Sequence, residues 1–553
     1  MMAPHDASVA SSKPALGDLM RTLPPELLAH IFELGADINE EEGWVDEDEE
    51  EMSSASKDDG EANDTTAKKL PFQFVVASVC RSWREAVLSL PTLWSTLKLD
   101  LKYAVIHREA ITEILKRTKA APLTIDLTLV DVRVSEDPDV DPDDMAAEVA
   151  LKFPLEMFRV LVSHSWHMRF LKLSCFGDAL QYLDRFFRLV YDAPAAPLLE
   201  VFEVYVYEEE DMDELPIRTF EPQAMFGGVQ LPRLRHLSLA RAPFGWGSAV
   251  KDTIFSPSLR ELHLLKYMSS GGAPSIATLL DILRCCPGLE LLDLYHSAPT
   301  GSVDDWPLAI DSNTVDLPSI RSLHLAGMQP EHMRRFFALV PAPHLKDLRL
   351  WLNAIGVDSY DDFLKACVSP VQFFSQLERL ELSGAAPITS DILERFLRSH
   401  SSVSDFTFQL SEMNRDQLAV LKYNLPLDSA SQTADSTVLE HIVLPKLHTL
   451  RITAVEKGQS APQLVDVLES RATALCPVQA LYLDVKLRSP VYTDMNRWVP
   501  KIEYYELEED TSDDDFESEY LEDDDFEGSY LDDDDIDDFT DEADEDWFDE
   551  NML

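Results

Sequence analysis

The 553-residue sequence is 45% apolar and carries a formal net charge of −54. Such a length can bury more than one core. Its acidity argues against nonspecific nucleic-acid binding, which needs Lys and Arg to displace counterions, and against anionic membrane surfaces. The charge is unevenly placed. Residues 37–69 hold 14 Asp or Glu against 3 Lys, and residues 503–553 hold 28 with no Lys or Arg. The acidity belongs to two appendages, and a basic protein surface is the partner it favours. The six cysteines show no C-x-x-C spacing, so neither a disulfide framework nor a zinc finger is expected, and a reducing compartment is. The first residues lack the basic start and apolar stretch of a signal peptide. No apolar run approaches the ~20 residues of a membrane span, so a cytoplasmic or nuclear location is expected.

Residues 1–19 carry no periodic pattern and are expected to be disordered. The first element is LPPELLAHIFEL, from Leu23 to Leu34. Leu27, Ile31 and Leu34 fall at i, i+4 and i+7, with Leu28 and Phe32 one step round, which predicts an amphipathic helix. Pro24 and Pro25 suit its first turn, and Gly35 is placed to end it. The segment 36–69 has the composition of a disordered acidic loop. Apolar sequence resumes at LPFQFVVASVCRSWREAV, where Val76, Val79, Trp83 and Val87 share one helical face. Pro91 stops that helix, and LWSTLKLDL then alternates as a strand. Long loops add closure entropy only slowly, so residues 20–95 read as one small helical module, interrupted. Its apolar side is larger than two or three short helices can cover.

LPPELLAHIF followed by VASVCRSWREAVLSLPTLWSTL resembles the F-box, which opens Leu-Pro-x-Glu-Leu, continues Val-Cys-x-x-Trp and often ends Pro-x-Leu-Trp. The matching residues are Leu23, Pro24, Glu26, Leu27, Ile31, Phe32, Val79, Cys80, Trp83, Pro91, Leu93 and Trp94. The resemblance covers about 45 residues and departs from the family pattern in the acidic insertion. It implies docking on the Skp-type adaptor of a cullin-RING ubiquitin ligase, with the residues from Leu23 to Trp83 in or near that interface.

From 96 to 500 one template recurs: apolar-x-x-apolar-x-apolar, in LRHLSL (Leu234), LRELHL (Leu259), LELLDL (Leu289), IRSLHL (Ile320), LKDLRL (Leu345), LERLEL (Leu377), VSDFTF (Val403) and LHTLRI (Leu447). Weaker copies start at Met168, Leu199 and Val478. Pro232, Pro257, Pro287, Pro318, Pro343 and Pro445 each stand two residues before a copy. Helical patterns such as IATLLDILRCC, EHMRRFFALV and SDILERFLRSH lie between. This is an α/β repeat, expected to form an irregular leucine-rich-repeat-like solenoid. Irregularity is expected because the Asn that usually follows such strands appears only as Asn353. A doubly wound sheet would carry continuous apolar strands, whereas these alternate. The long gap before Leu447 predicts an excursion over LDSASQTADST.

Period 2 names the exposed sheet face: His236, Ser238, Glu261, His263, Asp293, Tyr295, His324, Asp347, Arg349, Trp351, Arg379, Glu381, Thr449, Arg451 and Tyr482. Aromatic and Arg residues are the usual interface anchors. His263, Tyr295, His324, Arg349, Trp351, Arg451 and Tyr482 are therefore expected to contact a target protein, with Tyr295, Arg349 and Trp351 as its centre.

No nucleotide, nucleophile-elbow or zinc-protease motif occurs, so no catalytic residue, metal or cofactor is expected. His164 and His167 in HSWH have metal-compatible spacing but no third ligand nearby. The tail, 501–553, is expected to be disordered. It contains the duplicated DDDFESEYLE and DDDFEGSYLD, and its DDDFEGSYLDDD lacks the bidentate Glu of a calcium loop. The resemblance implies a non-catalytic substrate receptor. The alternative is an acidic scaffold or chaperone for basic proteins such as histones.

Overall fold

A computed structural model describes residues 24–41, 72–130, 146–207, 225–422 and 442–504, apart from short loop segments within those ranges. The first helix, α1, spans Pro25–Glu41. The Pro24 carbonyl accepts from the Leu27 and Leu28 amides at 3.1 Å, closing its first turn. The helix does not stop at Gly35. A Cβ at Gly35 would stand 2.4 Å from the Phe72 ring, so this glycine serves close helix packing rather than termination.

The second apolar stretch forms two helices, α2 (Phe72–Val79) and α3 (Arg81–Ser89), where the sequence spacing predicts one continuous face. Cys80 interrupts it with an extended backbone, and its Sγ accepts from the Trp83 amide at 3.5 Å as an N-cap. Val76 on α2 and Val87 on α3 are buried, whereas Val79 at the end of α2 is exposed. Leu28, Phe32, Val76, Val87, Leu93 and Trp94 make the module's own core. Phe32 meets Trp83 edge-on at 5.2 Å, and Phe74 meets Trp94 at 5.6 Å. Pro91–Trp94 is a 3-10 turn rather than the start of a strand. There the Trp94 indole donates to the Val87 carbonyl at 2.9 Å.

Among the described residues, fourteen parallel strands then form one sheet in which spatial order is chain order throughout. They are β1 (Thr96–Asp100), β2 (Leu123–Leu129), β3 (Met168–Phe176), β4 (Val201–Tyr207), β5 (His236–Ala240), β6 (Glu261–Leu265) and β7 (Leu291–Tyr295). After them come β8 (Ser322–Ala326), β9 (Asp347–Trp351), β10 (Arg379–Ser383), β11 (Asp405–Gln409), β12 (Thr449–Thr453), β13 (Ala480–Leu483) and β14 (Lys501–Tyr504). Every expected strand is present. The sheet also continues through β14, four residues into the segment read as tail. A doubly wound sheet reverses its strand order at a switch point; this one never does.

Helices fill many of the crossings: α4 (Arg108–Thr118), α5 (Ala146–Ser163), α6 (Leu180–Tyr191), α7 (Ile276–Cys285), α8 (Pro330–Leu339), α9 (Asp361–Cys367), α10 (Ser390–Ser399) and α11 (Ser460–Thr473). Their apolar stripes and one face of the sheet share a continuous core. Most strands alternate buried and half-buried side chains, as in β7 and β9, so the opposite face is open. The excursion over LDSASQTADST lies outside the described residues, as do Leu23, residues 42–69 and the tail beyond Tyr504.

Two local devices repeat. Each of the six prolines occupies the second position of a turn that leads into its strand. The amides of Leu234, Leu259, Leu289, Ile320, Leu345 and Leu447 donate back across that turn at 3.0–3.3 Å. At the other strand end, Arg241, Lys266, His296, Gly327 and Gly384 adopt positive φ. The Arg241, Lys266 and His296 amides reach the last carbonyl of the following strand at 2.9, 2.7 and 3.2 Å. Backbone thus supplies much of what an asparagine ladder would. Asn353 still contributes, accepting from the Gly327 amide at 3.1 Å.

Candidate functional site

Two surfaces carry the residues singled out by the sequence. On the helical module, α1 is apolar over an arc too wide for one partner. Leu28 and Phe32 face inward, while Leu27, Ile31 and Leu34 are exposed at 52%, 44% and 49%. On α2 the same division holds: Val76 is buried, but Val75 and Val79 are exposed at 47% and 58%. Pro24, Glu26 and Cys80 are exposed, and Trp83 is half-buried against Phe32. Of the residues expected at an adaptor interface, Phe32 is instead a core residue, because its ring fills the space between the helices. Leu23 lies outside the described residues. Leu34 and Val75 are exposed as well. Leu34 was legible as the i+7 neighbour of Leu27, whereas Val75 needed the helix orientation.

The module meets the sheet unit through Trp94. The Arg117 guanidinium from α4 lies 4.8 Å from its ring centroid, and Ile114 packs against both cores.

On the open sheet face, parallel register stacks side chains into rows. One row runs Glu203, Ser238, His263, Asp293, His324, Arg349, Glu381, Thr407, Arg451 and Tyr482 across β4 to β13. Five of the expected target-contacting residues are in it. A second row contains His236, Glu261, Ser322, Asp347, Arg379, Asp405 and Thr449. Tyr295 and Trp351 stand in a third, at the strand C-termini.

The rows are laced by charge. His263 Nδ1 lies 3.2 Å from Asp293 Oδ2, and His324 Nδ1 lies 3.5 Å from the same oxygen. Burial alone would raise the Asp293 carboxyl, but hydrogen bonds from His263 and His324 outweigh it and hold the group below its ordinary value. His236 sits between Glu203 at 3.3 Å and Glu261 at 2.8 Å. The hydrogen bond to Glu203, helped by Glu261 and opposed by burial, raises its imidazole above the usual value.

Further along, Arg349 pairs with Asp347 at 3.5 Å and Glu381 at 3.8 Å. Arg379 bridges Asp347 and Asp405 at 3.2 and 3.6 Å. The Arg451 guanidinium joins Asp405 and lies 4.9 Å from the Tyr482 ring centroid. Such half-exposed pairs add little stability; they hold long side chains in fixed positions. Tyr295 and Trp351 meet edge-on at 5.1 Å over the small Ala326, and the Trp351 indole donates to Glu381 at 3.3 Å. Arg349 lies one row away, so the three residues expected at the centre are neighbours.

The HSWH histidines are internal partners. His164 Nδ1 and His167 Nε2 are 3.0 Å apart, and His167 Nδ1 reaches the Ala121 carbonyl at 2.7 Å. The calcium-loop-like stretch lies outside the described residues. No described helix is long and apolar enough to cross a membrane. No family model matches this chain, and no curated protein matches it either.

Proposed function

We propose that this protein is a non-catalytic substrate receptor of an SCF-type ubiquitin ligase, working in the cytoplasm or nucleus. Its helical module is F-box-like and docks on a Skp-type adaptor, and through it on a cullin-RING ligase. The sheet unit is an irregular leucine-rich-repeat-like solenoid whose open face holds the target protein. The observation that carries this reading is the exposure of Leu27, Ile31 and Leu34 on α1 and of Val75 and Val79 on α2, on a module whose own core is already filled. An apolar surface of this kind, on helices that match the F-box motifs, needs a protein to cover it. The target face is supported by the ordered row of aromatic, Arg and His side chains. Holding a target beside a recruited conjugating enzyme raises the reaction rate by proximity alone.

The test is co-expression of the full chain with a Skp-type adaptor, followed by size-exclusion chromatography. A 1:1 complex is expected, with Leu27→Asp abolishing it while the melting transition stays in place. The reading fails if an adaptor competent for another F-box forms no complex, or if Leu27→Asp binds as well as the parent. The acidic-scaffold alternative rests on the charge of residues 503–553. Their deletion would then remove the principal partner and leave the adaptor complex intact.

A further inference from the structure

On β5 and β6 the open face carries a cluster that adaptor docking does not use. His236 and Glu261 are paired in register, and His263 stands one pleat further along β6. One ligand-capable atom from each lies within 4.8 Å of the other two, and the imidazole centroids are 5.0 Å apart.

The second nitrogen of each ring is already occupied, in the same way both times. His236 Nε2 faces Glu203 Oε1 from β4 at 3.3 Å. His263 Nδ1 faces Asp293 Oδ2 from β7 at 3.2 Å. That leaves His236 Nδ1, 2.8 Å from Glu261 Oε2, and His263 Nε2 as the ring nitrogens to serve as ligands. A carboxylate behind the far nitrogen is how proteins fix the tautomer of a metal-binding histidine and raise its basicity. Two such carboxylates arriving from the two flanking strands, around a third ligand, go beyond what a salt-bridge ladder requires.

The donor set is two imidazoles and one carboxylate. That suits Zn²⁺ and its first-row neighbours, whereas Ca²⁺ and Mg²⁺ take oxygen ligands. The side chains are 23%, 49% and 20% exposed for His236, Glu261 and His263, so an ion can reach them from solvent.

We propose that His236, Glu261 and His263 bind one first-row divalent cation, Zn²⁺ before others, with Glu203 and Asp293 orienting the two imidazoles. Three protein ligands leave a fourth position toward the open face. A water completes it in the free protein, and a His or carboxylate side chain of a bound protein can replace that water. Binding displaces whatever proton lies between His236 Nδ1 and Glu261.

The experiment uses the full chain with any affinity tag removed, stripped by chelator and titrated with Zn²⁺ against a chromophoric chelator. Millimolar Mg²⁺ is kept present to fill the acidic segments. The parent should retain one equivalent of Zn²⁺. His263→Gln and Glu261→Gln should retain none while melting as the parent does, and Glu203→Gln should weaken binding ~10–100-fold. Glu261, the most exposed of the three, keeps the test meaningful if a histidine variant folds poorly. Equal retention by the parent and by Glu261→Gln, including none in both, overturns the proposal.

Discussion

The helical module and the sheet unit solve the same problem in opposite ways. Each repeat of the sheet is too small to bury its own apolar side, but the next repeat covers it, and the core runs on without a break. On α10, for example, Ile392, Leu393, Phe396 and Leu397 are all buried. Among its described residues the module has three helices and no further copy to stack on. Seven of the fifteen exposed large hydrophobics among the described residues fall within it: Leu27, Ile31, Leu34, Phe74, Val75, Val79 and Leu88. A surface repeated along a chain can be completed by the next copy; a surface built once cannot be completed in that way.

The sharpest way to break that contrast is to truncate one apolar residue on each side of it. Phe396→Ala should lower stability by about 3–5 kcal/mol, the cost of a large cavity at a fully buried site. Leu27→Ala should change it by no more than about 0.5 kcal/mol. Denaturant midpoints measured side by side decide the matter, and equal losses would mean that the stripe on α1 is packed rather than open.

A smaller effect tests how tightly the repeats are spaced. Gly384 has φ +115°, and a Cβ there would stand 2.7 Å from the Leu352 backbone. Gly384→Ala should cost about 1–3 kcal/mol in backbone strain alone, visible as a lower melting temperature. A neutral result would show that neighbouring turns can slide apart.

Smaller still is the link between the two regions. Trp94→Phe removes the hydrogen bond to Val87 and weakens the contact with Arg117. A loss of about 1 kcal/mol is expected, and hydrogen exchange should quicken in α3 while β7–β10 stay unchanged. Equal acceleration in both would make the two regions one cooperative unit.

The least effect concerns acid. Burial holds the His400 imidazole below its ordinary value, against the pull of the Phe396 carbonyl. A neutral buried histidine favours the fold above the unfolded-state value near 6.5, and that contribution is lost as pH falls through the folded-state value. The drop in denaturant midpoint from pH 7.5 to 5.5 should therefore shrink in His400→Phe. An unchanged drop would assign acid sensitivity elsewhere.

Much of the sheet was legible because its strands alternate apolar and polar residues and because proline marks their approach. LTIDLTL at β2 does not fit the repeating template, since it alternates strictly and lacks the two-residue gap of the other copies. Period 2 named the side of the sheet on which each residue lies but not its exposure: Ser238, in the same row as His263, is buried. Its partnerships could not: Glu203, His236, Glu261, His263 and Asp293 lie on four different strands, and only register brings them together. In the module, apolar spacing identified α1 but could not choose between its two adjoining stripes. That choice depends on where Phe72 and Trp83 pack. Gly35 read as a stop because sequence does not reveal a ring lying against the helix.

Strict chain order in the sheet has a kinetic consequence. No strand waits for a distant segment before it can pair, since its neighbours in space are its neighbours in sequence. Order can start at any well-formed pair of repeats and spread one repeat at a time toward either end. The long segments between strands, such as 423–441, then add only a modest delay at one step. Such a chain can begin folding during synthesis, with each new repeat docking on the one before it.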